Sequence, residues 1–435
     1  MKTTIKKQNI FLYIGLSLLL LLSFNVSLNP TFLRINGIYV CMITSLICML
    51  LYGNKNGGLS FTTINQSSVV LWGTLLLPII LNNQDVGKGR IVYLLYYLVV
   101  IIWGFFLERK CGWEQKAWRI IQTFCLLHFT AGLFFLANKG LLINRIVPLF
   151  NTNDSAYRLL ISSIENGYMT GLCYHYSTMG MYMAIGAIAF SGVLFQNKKI
   201  KMRDLILFIF FLIGLSMTGK RGPLLFTILS LGIAVLATRE KRFTRKQLQR
   251  GVTASLILIV AFIVAYINVP QLKQVIDRFA FASGDLNDLS SGRIEYFWVY
   301  AIDMFLDSPI FGKGWRAFKY NGIGTLNAND AHNIYLQLLA EVGLVGFVLV
   351  LFFMIRALIT TYKAIRENEV CLCLSDKSMC IMKMSFAYQI FFILYGFTGN
   401  PLYDPQCYYP YILCCAIGYS AANRIRNNRM LQNQE

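Results

Sequence analysis

The chain has 435 residues, of which 56% are hydrophobic and only 14% charged. A soluble globular protein carries about a quarter charged residues, so this composition excludes a water-soluble enzyme and points to a membrane protein. With 33 Gly and 9 Pro in no Gly-X-Y period or low-complexity tract, fibrous and disordered classes are excluded as well. The 40 Lys and Arg against 20 Asp and Glu leave a net charge of +20. In a soluble protein that excess would suggest nucleic acid, whereas a polytopic protein acquires it through orientation, and no nucleic-acid partner is expected.

Crossing the hydrocarbon takes about 20 apolar residues as a helix, because only bonds within the segment satisfy its backbone in lipid. Such runs lie near 9–28, 35–53, 67–83, 90–107, 117–137, 172–195, 204–219, 222–237, 251–270, 333–358, 380–397 and 407–423. They predict an all-α polytopic protein of about twelve spans, one integral membrane domain over 1–435. The run behind Lys2–Lys7 lacks an A-x-A cleavage site and reads as a retained first helix. With a cytoplasmic N-terminus, the alternating loops place nearly all of the excess Lys and Arg inside, which predicts both termini cytoplasmic. The 11 Cys fall mostly within apolar runs, as at Cys414-Cys415, and read as small buried hydrophobes. Two outer segments, 138–171 and 271–332, are too long for turns, and loops of that length usually carry function.

Three outer-face motifs concentrate polar residues at the ends of apolar helices. The first is Met217-Thr218-Gly219-Lys220-Arg221-Gly222-Pro223, a tight turn between two spans. Gly214 to Lys220 fits the opening of a P-loop, but Arg221 replaces the Ser/Thr and an apolar span replaces the strand, so it is rejected as a nucleotide site. A guanidinium fixed there suits bidentate capture of phosphate; the alternative is snorkelling to lipid headgroups. The second is Ser290-Ser291-Gly292-Arg293, a start signal for a helix of about 16 residues ending at Pro309. Its expected apolar stripe is Ile294, Trp298, Ala301 and Phe305, with Arg293, Tyr296 and Tyr300 on a different face.

The third motif is Gly312-Lys313-Gly314-Trp315-Arg316, followed by Asn329-Asp330-Ala331-His332-Asn333 immediately before a span. A histidine near neutral pKa can take a proton from a hydroxyl, although a lone histidine can equally be structural. Glu341 lies on the opposite side of a continuous helix from His332 and is a poor partner for it. The outer carboxylates form no D-x-D and no tight cluster, so no divalent metal has a cage and no cofactor is called for.

In order along the chain, T-G-K-R-G-P-L, S-G-R-I-E-Y-F-W, F-G-K-G-W and D-A-H-N-I-Y-L-Q-L-L-A-E-V-G-L-V-G resemble the O-antigen ligase and polysaccharide polymerase superfamily of membrane glycosyltransferases. The resemblance covers about 205–355, a core that includes the outer loop 271–332. It implies a GT-C-like fold in a bacterial cytoplasmic membrane with the active site at the outer face. It also implies a glycan donor on a polyprenyl diphosphate, typically undecaprenyl, and metal-independent transfer with inversion to a glycan or lipid-linked acceptor among membrane lipids. By matching position, Arg221 and Arg293 are implied to hold the diphosphate and His332 to be the general base. Lys220 stands where the family usually has Ser, and Lys220, Arg316 and Asn333 are expected to contact substrate.

A polymerase would add the growing chain to another lipid-linked repeat, whereas a ligase would move finished glycan onto lipid A-core or protein. The Gly399-Asn400-Pro401-Leu402-Tyr403-Asp404 turn and the aromatic-rich span after it look like those of capsule and exopolysaccharide polymerases, which favours the first. A flippase would instead distribute polar residues through mid-span positions.

Overall fold

A computed structural model describes residues 10–20, 35–54, 88–149, 154–173, 175–195, 202–239, 267, 273, 293–321 and 330–432. The spans expected at 67–83 and across almost all of 251–270 lie outside the described residues, as do the Ser290-Ser291-Gly292 start signal and Asn329. Among the described residues the chain is helical throughout, without a strand. The first helices are α1 (Ile10–Leu20), α2 (Ile35–Asn54), α3 (Lys88–Leu107) and α4 (Glu114–Ala137). The outer segment 138–171 holds a short coil of π and 3-10 turns and then α5 (Asp154–Glu165). Leu160 and Ile164 of α5 are buried against Phe135, Leu142 and Val147.

Next come α6 (Tyr176–Phe195), α7 (Met202–Met217) and α8 (Arg221–Ala237). The outer segment before the next long helix contains a π turn (Ile294–Trp298), α9 (Val299–Asp307) and α10 (Ala317–Asn321). The chain closes with α11 (Ile334–Cys371), α12 (Asp376–Tyr395) and α13 (Pro405–Gln432). Four of the described helices, α4, α6, α11 and α12, are long and apolar enough to cross a membrane. Shorter apolar stretches occupy α1, α2, α3 and α8.

Burial sorts these helices by depth in the bundle. A helix apolar on every side belongs in the centre, and one with a single buried face belongs at the rim. In α6, 89% of the apolar window is buried and in α12 78%, so these two form the axis, whereas α4 has 39% and lies at the rim. Helix α6 packs between α4 and α7, while α12 packs against α8, α11 and α13. On α11 the row Leu344, Val348, Phe352, Ile355 and Ile359 is exposed and apolar, a surface suited to lipid. At the opposite end from the polar turns, Arg366 donates to Ala237 O, the last of α8, at 2.9 Å and to Arg239 O just beyond it at 3.0 Å. A guanidinium there satisfies carbonyls that no further helical N–H can reach.

The long helix α11 departs from its expected form. It runs to Cys371 rather than ending near 358, and it breaks at Gly343, where φ is 64° and ψ −172°. That region of backbone space is essentially open only to glycine. The break frees carbonyls and N–H groups inside the bundle, and the segment from Pro309 to Gly314 takes them up. Lys313 N and Gly314 N donate to Ala340 O and Glu341 O at 3.0 and 2.8 Å, while Leu344 N and Val345 N donate to Pro309 O and Ile310 O at 2.8 and 3.2 Å. The approach is close enough that a Cβ on Gly312 would overlap the Glu341 backbone and one on Gly343 would overlap Ile310.

The inward face of the outer amphipathic helix also differs from the expected stripe. Phe297, Tyr300, Ala301 and Met304 pack toward Phe318, Ala331 and Ala340, so of Ile294, Trp298, Ala301 and Phe305 only Ala301 belongs to the buried cluster. The π turn at Ile294–Trp298 fits one more residue into its turn than α geometry and rotates the residues before it relative to those after it. Val299, Ile302 and Leu306 are exposed instead.

Replacing Gly343 with Ala is expected to destabilise the fold by roughly 1–3 kcal/mol from backbone conformation alone, with the overlap on Ile310 adding to it. The measurement is the thermal unfolding midpoint of detergent-purified protein; an unchanged midpoint would mean that the loop and the broken helix are not locked together.

Candidate active site

The polar motifs meet at one end of the bundle because the helices bearing them run alternately. The N-termini of α6, α8, α11 and α13 and the C-terminal end of α12 surround a cavity of about 580 Å³. Its lining includes Lys220, Arg221, Arg293, Arg316 and His332, so five of the six residues expected from sequence come together there. Asn333 does not line it. Its Oδ1 accepts from Tyr335 N at 3.0 Å and Leu336 N at 3.2 Å, the N-cap of α11, so its role in the fold is to start the helix that carries His332.

Each cation is placed by local backbone chemistry. Thr218 Oγ1 donates to Leu215 O at 2.6 Å at the end of α7, and Gly219 turns the chain with φ 66° against the Tyr168 ring. Lys220 is then extended and α8 begins at Arg221, with Pro223 in the first turn, where its missing N–H leaves no bond unmade. Lys220 Nζ lies 4.4 Å above the Tyr176 ring. Tyr176 in turn stacks on Tyr168, with centroids 4.7 Å apart, and on His175, at 4.3 Å. His175 Nδ1 accepts from Ser177 N at 3.1 Å and caps α6. Arg293 Nη1 donates to Thr398 O at 3.0 Å, joining the outer loop to the end of α12.

The opposite side of the cavity is organised by Glu341, which is fully buried. Its Oε2 accepts from Arg316 N at 2.7 Å and from the Tyr403 hydroxyl at 2.8 Å, and its Oε1 accepts from Gln337 Nε2 at 3.0 Å. Gln337 continues the chain. Its Nε2 donates to Asp330 Oδ1 at 3.1 Å and its Oε1 accepts from Ala331 N at 3.0 Å. Arg316 Nη2 donates to Tyr403 O at 2.9 Å, and Asp330 pairs with Lys319 at 3.5 Å. Arg316 and His332 both sit in left-handed backbone, φ 63° and 53°, which non-glycine residues rarely adopt and which this network holds in place. As expected from sequence, Glu341 is not the partner of His332; its partners are Arg316, Gln337 and Tyr403.

These placements polarise the cavity. Lys220, Arg221 and Arg293 form a cationic end, and Asp330 and Asp404 lie at the other with Arg316 and Lys319. Burial, and then repulsion from Arg293 and Arg221, lowers the Lys220 pKa to about 7. Burial, and then Arg293, lowers that of His332 to about 3 even though Asp330 pulls the other way, so its imidazole is neutral at rest. His175 is lowered to about 4 by burial and then Lys220. Burial, and then Asp330, pushes the Asp404 carboxyl up to about 7. Crowded, partly desolvated cations with a neutral imidazole beside them suit binding an anion near a group that can accept a proton. Tyr168, His175, Tyr176, Asp404 and the Thr398–Gln406 turn complete the lining. Their signal in the sequence is weak: aromatic and polar residues clustered at the ends of two apolar runs.

A helical bundle with four helices long and apolar enough to cross a membrane, and a cavity at one end lined by several cations, fits a membrane protein with a site able to take an anion. Residues 205–351 match the family described as O-Antigen ligase, over the same stretch in which the four sequence motifs resemble that family. The match supports a membrane glycosyltransferase of the O-antigen ligase and polymerase type, a family implying lipid-linked glycan substrates. No curated protein matches the chain.

Because the Lys220 pKa is lowered to about 7, its cationic form is present below that pH and lost above it. Affinity for a soluble diphosphate diester, whose own charge is constant in this range, is expected to fall as pH rises through about 7. Lys220→Arg keeps the charge and should flatten the dependence. Titrating binding against pH for both proteins checks this, and identical profiles would remove Lys220 from the anion end.

Proposed function

We propose that this protein transfers glycan from an undecaprenyl-diphosphate-linked donor to an acceptor sugar hydroxyl at the outer face of a bacterial cytoplasmic membrane. The observation that carries this reading is the convergence of Lys220, Arg221, Arg293 and His332, from three separate motifs, on one cavity. The diphosphate lies at the cationic end, where Arg221 and Arg293 face the charge that grows on the leaving group as the anomeric carbon–oxygen bond breaks. His332 takes the proton of the attacking hydroxyl as the new glycosidic bond forms. A resting pKa of about 3 makes His332 a weak base, but the arriving diphosphate offsets Arg293 and Lys220 and raises its proton affinity. Attack opposite the departing diphosphate inverts the anomeric centre, and in this reading the cations supply the electrostatic stabilisation without a metal.

The same reading carries a GT-C-like bundle of about twelve spans with both termini cytoplasmic. It treats 205–355 as the catalytic core of a single membrane domain. It favours polymerisation of O-antigen, capsule or exopolysaccharide repeats over ligation, because the turn at Gly399–Asp404 that resembles polymerases contributes Asn400, Tyr403 and Asp404 to the cavity. Deleting the gene and extracting lipid-linked sugars separates the outcomes. Single repeats accumulating without long chains support the polymerase; full-length glycan stranded on polyprenyl diphosphate means a ligase, and accumulation on the inner leaflet means a flippase.

Arg221→Ala, Arg293→Ala and His332→Ala are each expected to abolish long polymer while the protein still reaches the membrane. Loss of a fixed charge-stabilising donor or a general base typically lowers turnover by about 100-fold or more. Product analysis alongside immunodetection in membranes checks this, and near-normal product from any one variant removes that residue from the mechanism.

A further inference from the structure

The turn between α12 and α13 has backbone and side chains in opposite states. Its carbonyls are held from three directions: Arg293 donates to Thr398 O at 3.0 Å, Arg316 to Tyr403 O at 2.9 Å and the Tyr97 hydroxyl to Leu402 O at 2.8 Å. Asn400 O accepts from Tyr403 N at 2.9 Å and Asp404 N at 3.1 Å, closing the turn on itself. The turn is therefore rigid. Its side-chain amides are not used in this. Asn400 is 5% exposed and Gln406 4%, yet Asn400 Oδ1 and Gln406 Oε1 have no hydrogen-bond partner among the described residues, and Thr398 Oγ1 is in the same condition. All three residues line the cavity.

Buried polar groups are nearly always paired, and an amide oxygen left without a partner at a cavity wall is placed to take one from a molecule bound in the cavity. The chemistry of the surroundings identifies that ligand. At this end the carboxyls of Asp330 and Asp404 balance Arg316 and Lys319, so a phosphate is better served by the three cations at the other. A sugar hydroxyl both donates and accepts, as an amide does, and it can donate to a carboxylate as well.

We infer that Asn400 and Gln406, with Asp404 beside them, form a carbohydrate-binding subsite that holds the glycan while the cationic end, where Thr398 meets Arg293, holds its diphosphate. The inference rests on the proposed reading of the cavity and deepens it: the two ends read two parts of one substrate. The rigid backbone fixes the amides before the glycan arrives, so little side-chain order is lost on binding. This subsite would select among sugars, because a glycan lacking the matching hydroxyl or acetamido group leaves a buried amide unpaired.

The test uses the full chain in lipid nanodiscs with two probes: undecaprenyl diphosphate without sugar, and the lipid-linked glycan extracted from the deletion strain. Asn400→Ala and Gln406→Ala are expected to weaken binding of the glycan-bearing probe by about tenfold, the loss of one well-placed hydrogen bond, while the sugar-free probe binds as to the wild type. Retained binding of the sugar-free probe also shows that the variants fold. Equal weakening of both probes would mean that the amides support the anion end, and no weakening of either would mean that they contact nothing; each result overturns the subsite. Failure of the wild type to bind either probe overturns the lipid-diphosphate reading itself, which separates that failure from failure of the subsite alone.

Discussion

The cavity depends on one buried carboxylate. Glu341 accepts three hydrogen bonds, from the backbone of Arg316, the hydroxyl of Tyr403 and the amide of Gln337. These partners belong to the outer loop, the α12–α13 turn and the first turns of α11. A carboxylate this deep is stable only when its oxygens are occupied, and removing any partner would leave charge or dipole uncompensated. Three separate chain segments are thereby pinned to one point. Arg316 and His332, both in unfavourable left-handed backbone, are the residues at which that pinning is spent.

The same junction explains how an irregular backbone is tolerated in a helix that crosses the membrane. Unpaired N–H and carbonyl groups cannot face lipid, so a broken helix needs partners from elsewhere in the protein. The residues from Pro309 to Gly314 supply them by reciprocal bonds across the Gly343 break. Loop and helix are then one unit: the loop cannot lift away without exposing the break, and the break cannot close into a regular helix without expelling the loop. The position of Arg316 relative to His332 follows from this exchange.

Much of the site is legible in the sequence, and the reason is physical. In a chain this apolar, a Lys-Arg pair, a lone Arg after a small-residue turn and a His just before a span are exceptions that lipid does not tolerate without purpose. Because the spans alternate in direction, exceptions assigned to one face come together in space. The structuring role of Glu341 was not legible, since its partners Arg316 and Tyr403 lie 25 and 62 residues away and meet it only because α11 breaks. The inward face of the amphipathic segment was misjudged for a related reason. A helical period presumes uniform α geometry, and one π turn shifts the phase. Asn333, expected to contact substrate, caps α11 with its side-chain oxygen, as a short amide before a helix does.

The electrostatics of the cavity connect the resting protein to its chemistry. Three cations brought together with partial burial repel one another, and the strain shows where it can be relieved, in a lysine ready to lose its proton and a histidine that holds none. An anion entering that end would relieve the repulsion, so its binding and the protonation of Lys220 are coupled. In the proposed reading the histidine responds in the same direction, becoming a better proton acceptor only once the diphosphate is seated. On that proposal a base that strengthens when the donor is bound stays neutral otherwise, which ties proton transfer to occupancy of the cationic end.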